Sequence, residues 1–245
     1  MSLYAIIGGS GLNKFDSFQI THRQIVITPF GSLSAPLVFG KIADQKIVFL
    51  ARHGSGHIIP PHQINYRANI WALKEAGVTN VLAFASVGGI SEAMAPGVIC
   101  VPDQIIDYTH GRHHTFYDQF DSGIQHTDFT QPFCSELRQK ILNACQKSAL
   151  DAVDGGVYGT TQGPRLETAA EIKRMAKDGC DLVGMTAMPE AILAAECGLC
   201  YASFTMVVNW AAGLQGNQKL NMEDINIELK KAKKNAGLVL QNFEF

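Results

Sequence analysis

Residues 4–12 read "YAIIGGSGL", a short apolar run from Tyr4 to Ile7 set directly against Gly8, Gly9, Ser10 and Gly11. A run this short and this continuously apolar predicts a strand covered on both faces, as strands inside an α/β sheet are. The glycines let backbone N–H groups approach an anion closely, and Ser10 adds a hydroxyl donor. The turn is not G-x-G-x-x-G, because Leu12, Asn13 and Lys14 follow Gly11, and it lacks a G-K-[ST] ending. On these residues alone a phosphate-binding turn and an empty tight turn stand level.

The same unit of apolar run followed by helical-period segment persists along the chain. Further strands are predicted at Lys46 to Leu50, Asn80 to Ala85, Val98 to Ile106, Gly156 to Thr160 and Leu199 to Val208, after a first at Leu3 to Ile7. One helix is expected from about Gln63 to Ala76, with Ile64, Ala68, Trp71 and Ala72 inward and Gly77 as its stop. A second follows Pro132 with Leu137, Ile141, Leu142 and Cys145 as its apolar stripe. A third opens with the capping box of Thr168 and Glu171 and turns Ile172, Met175 and Ala176 inward. A last one runs from about Glu223 to Gln241. This alternation predicts an α/β protein, a single domain over residues 1–245 with a largely buried mixed β-sheet flanked by helices. The one long connection is the polar, His-rich segment from Asp107 to Thr130.

Composition narrows the partners. The 20 Lys and Arg against 22 Asp and Glu give a net charge of -2, and the only basic cluster, Lys230, Lys231, Lys233 and Lys234, reads as a solvated helix face. Nucleic acid is therefore not expected as a partner. No segment approaches the roughly 18 uninterrupted apolar residues of a membrane span. The six cysteines sit mostly in apolar stretches and the chain opens "MSLYAII" with no basic-then-apolar leader, so reduced, buried thiols and a cytoplasmic location are expected. Cys197 and Cys200 form a C-x-x-C, but with no second pair at zinc spacing they read as core residues.

Three more turns at strand ends carry groups that suit an oxyanion. "LARHGSGH" offers Arg52, His53 and His57; "FASVGGI" offers backbone N–H groups near Ser86; "VGMTAMPEA" offers Thr186 ahead of a helix beginning at Pro189 or Glu190. No one of them is specific, but together with the first turn they favour a single phosphate gathered from distant parts of the chain. Glu167 in "GPRLETAAEI" and Asn209 in "VVNWAAG" suit a heterocycle, the latter because a buried strand-end amide must find partners for its donors and its acceptor. The plain alternatives are a helix start and a turn residue. His110, His113 and His114 with Asp107 raise a metal, but their spacing shows no third ligand on a helical pattern, and a solvated or interface loop accounts for them. There is no G-x-S-x-G elbow.

Taken together, "IIGGSGL", "RHGSGH", "NYRANIWALKEAGV", "SVGGI", "FYD", "HTDFTQPFC", "TQGPRLET", "GMTAMPEAILAAECGLCYA" and "NWAAG" resemble, in order and over nearly the whole chain, the trimeric nucleoside phosphorylases that include purine nucleoside and methylthioadenosine phosphorylases. The resemblance implies cleavage of a purine nucleoside by inorganic phosphate, with phosphate as co-substrate and no cofactor or metal. It places the phosphate on Ser10, Arg52, His53, the backbone at Ser86, and Thr186; the ribose on Met185; and the base on Leu166, Glu167 and Asn209, the last two carrying catalysis. It further implies that His126 closes the 5′ end of a neighbouring subunit's site in a homotrimer.

Two departures bear on the substrate. Methylthioadenosine phosphorylases carry aspartates where this chain has Asn209 and Ala211, and a small hydroxyl residue where it has Glu167. An amide can accept from protonated N7 and donate to a 6-oxo group, while Glu167 can accept from N1–H. With the 5′-methylthio character of the remaining motifs, the expected substrate is S-methyl-5′-thioinosine. Inosine or guanosine, methylthioadenosine, and a binding role without catalysis are the alternatives.

Overall fold

The computed structural model describes residues 2–9, 17–118, 123–215 and 222–245. Ser10 and the rest of its turn, residues 10–16, lie outside the described residues. The first strand, β1 (Tyr4–Gly8), lies between β4 (Gln45–Ala51) and β5 (Asn80–Gly89), parallel to both. Its side chains alternate as a strand covered on both faces requires. Ala5 and Ile7 join Ile70 and Leu73 of α1 (Tyr66–Glu75) and Ala191 and Leu193 of α4 (Ala187–Glu196). Tyr4 and Ile6 join Leu137 and Ile141 of α2 (Ser135–Lys147) and Ala236 and Val239 of α5 (Met222–Asn242). The mixed sheet is thus the middle of three layers, and the α/β expectation holds.

Beyond β1 and β4 the sheet continues through an antiparallel hairpin, β2 (Phe18–Gln24) and β3 (Leu37–Ile42), that the sequence did not announce. Only Phe18 of β2 is buried, so the strand lacks the alternation that marks a half-buried element. The predicted strand from Val98 to Ile106 is two, β6 (Ile99–Val101) and β7 (Gln104–Asp107), divided at Pro102, which has no N–H to give a ladder. Two short strands, β8 (Ala152–Asp154) and β10 (Leu182–Gly184), complete the set with β9 (Val157–Thr160) and β11 (Cys200–Trp210).

The helices form where expected. Asn65 caps α1 by accepting from the N–H of Ala68, and Gly77, at φ +81°, ends it. The capping box of Thr168 and Glu171 opens α3 (Ala169–Lys177); Ile172 and Met175 are buried against Ile90 and Val183, but Ala176 is exposed, because the rotation of about 100° per residue carries it off that face. Trp71 and Leu142 are half-buried. All four lysines of the basic cluster are exposed on α5. No described helix is long and apolar enough to cross a membrane.

The cysteines require a correction. Cys134 and Cys200 form a disulfide, while Cys100, Cys145, Cys180 and Cys197 are free. The cause is a contact across 66 residues: the N–H of Cys134 donates to the Tyr201 carbonyl, which seats the start of α2 on the start of β11 and brings the two Cα atoms to 5.3 Å. Burial pushes the Cys100 thiol up to about 12.

Candidate active site

The site follows from an interruption in the sheet. One edge of β5 is paired along its whole length by β11, from Cys200 opposite Asn80 to Trp210 opposite Gly89. The other edge is paired by β1 only at residues 80–83 and by the antiparallel β10 only at residues 88 and 89. Between these partners, residues 84–87 have no strand beside them on that edge among the described residues. N–H and C=O groups alternate sides along a strand. The carbonyls of Ala83 and Gly89 face β11, where they accept from Ser203 Oγ and the Ala211 N–H, whereas the Phe84 carbonyl and the Ile90 N–H face the other edge. The N–H of Ser86 therefore opens into the gap, although Ser86 lies within a strand and not, as expected, in a turn after one. The C-terminal ends of β1 and β4 reach the gap from one side and those of β9 and β10 from the other, the kind of switch point at which open α/β sheets place ligands.

Arg52 follows β4 and is 2% exposed. Its Nε donates to Glu190 Oε2 at 2.6 Å, its Nη2 to Glu190 Oε1 at 2.7 Å and its Nη1 to the Phe84 carbonyl at 3.0 Å. The fork expected to grip an oxyanion is thus closed on a carboxylate; of the five N–H groups of a guanidinium, one on Nη1 and one on Nη2 meet no acceptor among the described residues. Burial works against the charged form, but the attraction of Glu190 prevails and holds Arg52 above its ordinary value. Glu190, 1% exposed, also accepts from the Tyr201 hydroxyl at 2.9 Å. Sequence reasoning passed over Glu190; the signal was an acid inside the apolar run "MPEAILAA".

His53 is half-buried, its Nδ1 2.9 Å from the Ile59 carbonyl and its ring 4.5 Å from that of His57. Burial first, and the charge of Arg52 second, bring its pKa down to about 4. Near neutral pH the ring is uncharged, the proton is on Nδ1 because a carbonyl only accepts, and Nε2 presents a lone pair.

Thr186, buried, is the N-cap of α4 and makes no capping hydrogen bond with its side chain. Element α4 runs from Ala187, but Met188 is out of helical geometry (φ -112°, ψ 136°), so the continuous helix starts at Pro189, as expected. Met185 is half-buried beside Gly163. Gly184, just before it, has no room for a side chain: a Cβ there would lie 2.0 Å from the Tyr158 hydroxyl. Gly184→Ala is expected to lower stability by about 1–3 kcal/mol through overpacking. A urea midpoint equal to that of the native protein would show that Tyr158 yields freely.

At the other end of the gap, Asn209 stands opposite Gly88, next to a bulge in β11. Its Nδ2 donates to the Trp210 carbonyl at 2.7 Å, which fixes the amide and leaves Oδ1 and one N–H without a partner among the described residues. The backbones of Gly88 and Ala211 and the amide of Asn209 meet there. Glu167 precedes the cap of α3 and accepts from Thr161 Oγ1 at 2.5 Å. It lines a cavity of about 670 Å³ with Tyr108, His110, Thr161, Arg165 and Glu171; Arg52, Thr186 and Asn209 do not line it. Leu166 and His126 are exposed. His114 Nδ1 lies 3.4 Å from Asp107 Oδ2, and the described residues contain no group of three potential metal ligands.

Residues 3–243 match the family described as the phosphorylase superfamily. A "Probable S-methyl-5'-thioinosine phosphorylase" of Xanthomonas campestris pv. campestris is 49% identical over 221 residues, which is 90% of this chain and 88% of that protein. A "6-oxopurine nucleoside phosphorylase" of Pyrococcus furiosus is 43% identical over 98% of this chain and 91% of its own length. Among solved structures, a methylthioadenosine phosphorylase from an Antarctic soil metagenomic library superimposes with a TM-score of 0.93 at 32% identity, covering 98% of this chain and 84% of that one.

Proposed function

Because the chain belongs to the phosphorylase superfamily over residues 3–243, we propose that it is a pentosyltransferase that cleaves S-methyl-5′-thioinosine with inorganic phosphate to give hypoxanthine and 5-methylthioribose 1-phosphate. The observation that carries the choice of base is Asn209, whose amide is oriented by the Trp210 carbonyl with an acceptor and a donor left over. That pair complements N7–H and O6 of a 6-oxopurine, and Ala211 brings no carboxylate for a 6-amino group. The 49% identity to a relative named for methylthioinosine supports the 5′-methylthio group.

Breaking the N-glycosidic bond builds positive charge on the sugar and negative charge on the leaving purine. On this reading phosphate sits in the gap of the sheet, held by the remaining N–H groups of Arg52, the N–H of Ser86, Thr186 and Ser10, with Met185 against the ribose. The neutral His53 accepts a hydrogen bond from the proton that phosphate carries. Asn209 and Glu167 steady the base as N7 takes up a proton, and Leu166 covers it, so the protein works by orientation and fixed dipoles. Phosphate is the co-substrate, and the reading assigns no cofactor and no metal. The exposed His126 is assigned to the 5′ pocket of a neighbouring subunit, on the reading that the working unit is a homotrimer; the Cys134–Cys200 disulfide removes the ground of reduced thiols on which a cytoplasmic location was expected.

The test is a phosphorolysis panel over methylthioinosine, inosine, guanosine and methylthioadenosine, with base release followed with and without phosphate. The expected result is phosphate-dependent release of hypoxanthine with the highest kcat/KM on methylthioinosine. An equal value for inosine would favour the general 6-oxopurine activity after which the Pyrococcus furiosus relative is named. No release from any member would leave a binding role.

A further inference from the structure

Arg112 lies in the connection after β7, within "HGRHH", between histidines that draw the eye first. Its guanidinium is where two loops of the candidate site meet. Nη2 donates to the carbonyls of Thr161 at 3.2 Å and Gln162 at 2.7 Å, and Nε donates to Gln162 Oε1 at 3.2 Å. Nη1 donates to the carbonyls of Met185 at 2.9 Å and Met188 at 2.5 Å, and lies 3.3 Å from the Tyr66 hydroxyl. The Tyr66 ring backs the group, its centroid 5.5 Å from Cζ. Every one of these acceptors is uncharged. The side chain therefore serves as a planar template of five donors, a geometry that the single ammonium of a lysine cannot reproduce.

What the template joins gives it a role. On one side Thr161 gives its N–H to the Gly184 carbonyl at 2.8 Å and its hydroxyl to Glu167 Oε1 at 2.5 Å. On the other, Met185 and Met188 bracket Thr186. We infer that Arg112 is a positioning residue that sets the spacing between the Glu167 carboxylate and the Thr186 hydroxyl, and so between base and nucleophile. The inference rests on the proposed roles of those two groups.

The experiment compares Arg112→Lys, Arg112→Ala, Glu167→Gln and the Arg112→Ala/Glu167→Gln double variant, well below each melting temperature, on whichever nucleoside the native protein cleaves fastest. Each Arg112 variant is expected to lose about 10²-fold in kcat/KM, the scale of a misplacement near 1 Å. Methylguanidinium should restore activity to Arg112→Ala but not to Arg112→Lys. The double variant should lose little more than the worse single one, since both changes act through one carboxylate. Unchanged activity per folded molecule with only a lower melting temperature would overturn the inference, as would losses that multiply. If Arg112→Ala does not fold, Arg112→Lys, alone and combined with Glu167→Gln, carries the same comparison. A wrong nucleoside in the proposed function would show in the native protein's panel and leave these ratios intact.

Discussion

Asn209→Asp is expected to change the ratio of kcat/KM for methylthioinosine over methylthioadenosine by about 10²- to 10⁴-fold in favour of the 6-amino substrate, the scale on which an unpaired polar group in a buried site discriminates. In the native protein the amide is held by the Trp210 carbonyl at 2.7 Å. The substitution replaces the N–H donor by a second acceptor. An ionised carboxylate in place of the amide faces both the Trp210 carbonyl and the substrate O6 with lone pairs, and a protonated one has a single O–H, which cannot serve the Trp210 carbonyl and the substrate O6 at once. Thermal stability should fall less than selectivity, because Asn209 is only half-buried. Steady-state kinetics on the two nucleosides, with phosphate saturating, read the outcome. An unchanged ratio would mean that the base is read elsewhere.

The largest effect on stability is expected at Glu190. Glu190→Ala leaves the Arg52 guanidinium, 2% exposed, with the Phe84 carbonyl as its one remaining described acceptor, and removes the acceptor of the Tyr201 hydroxyl. Removing one partner of a buried ion pair typically costs about 3–5 kcal/mol. Replacing both charges, as in Arg52→Met/Glu190→Leu, should recover much of that loss, since the pair is worth little against well-packed apolar side chains. The double variant should nonetheless use phosphate poorly, because the free N–H groups of Arg52 are gone. Urea unfolding and the KM for phosphate separate the two effects. A Glu190→Ala variant within about 0.5 kcal/mol of the native protein, the range of an ordinary surface substitution, would show that water reaches the pair.

The fold was legible where the chain punctuates itself. Tyr4 to Ile7 against a run of glycines, Thr168 with Glu171, and Gly77 after an apolar stripe each carry their structural meaning locally. The site was legible as a set of residue types at strand ends, but not as an arrangement. Arg52 and Glu190 are 138 residues apart, and nothing near either one says that they meet. The gap in the edge of β5 exists because two strands far apart in sequence stop short of one another. The disulfide was missed for the same reason, since C-x-x-C directs attention to Cys197 when the partner of Cys200 is Cys134. Arg112 left no signal at all, because each of its five donors meets a neutral group of another residue.

The interrupted edge of β5 also bears on how such a protein can diverge. If phosphate sits there as proposed, a niche bounded by main-chain ends has much of its chemistry written in backbone, which survives most substitutions. On the proposed reading the base is met by the side chains of Glu167 and Asn209, with Ala211 beside Asn209, and side chains are what substitution changes. Selection can then exchange the purine without rebuilding the machinery of attack. Relatives named for methylthioinosine and for 6-oxopurine nucleosides, and a structure named for methylthioadenosine, on one shared architecture are what such a division of labour leaves behind.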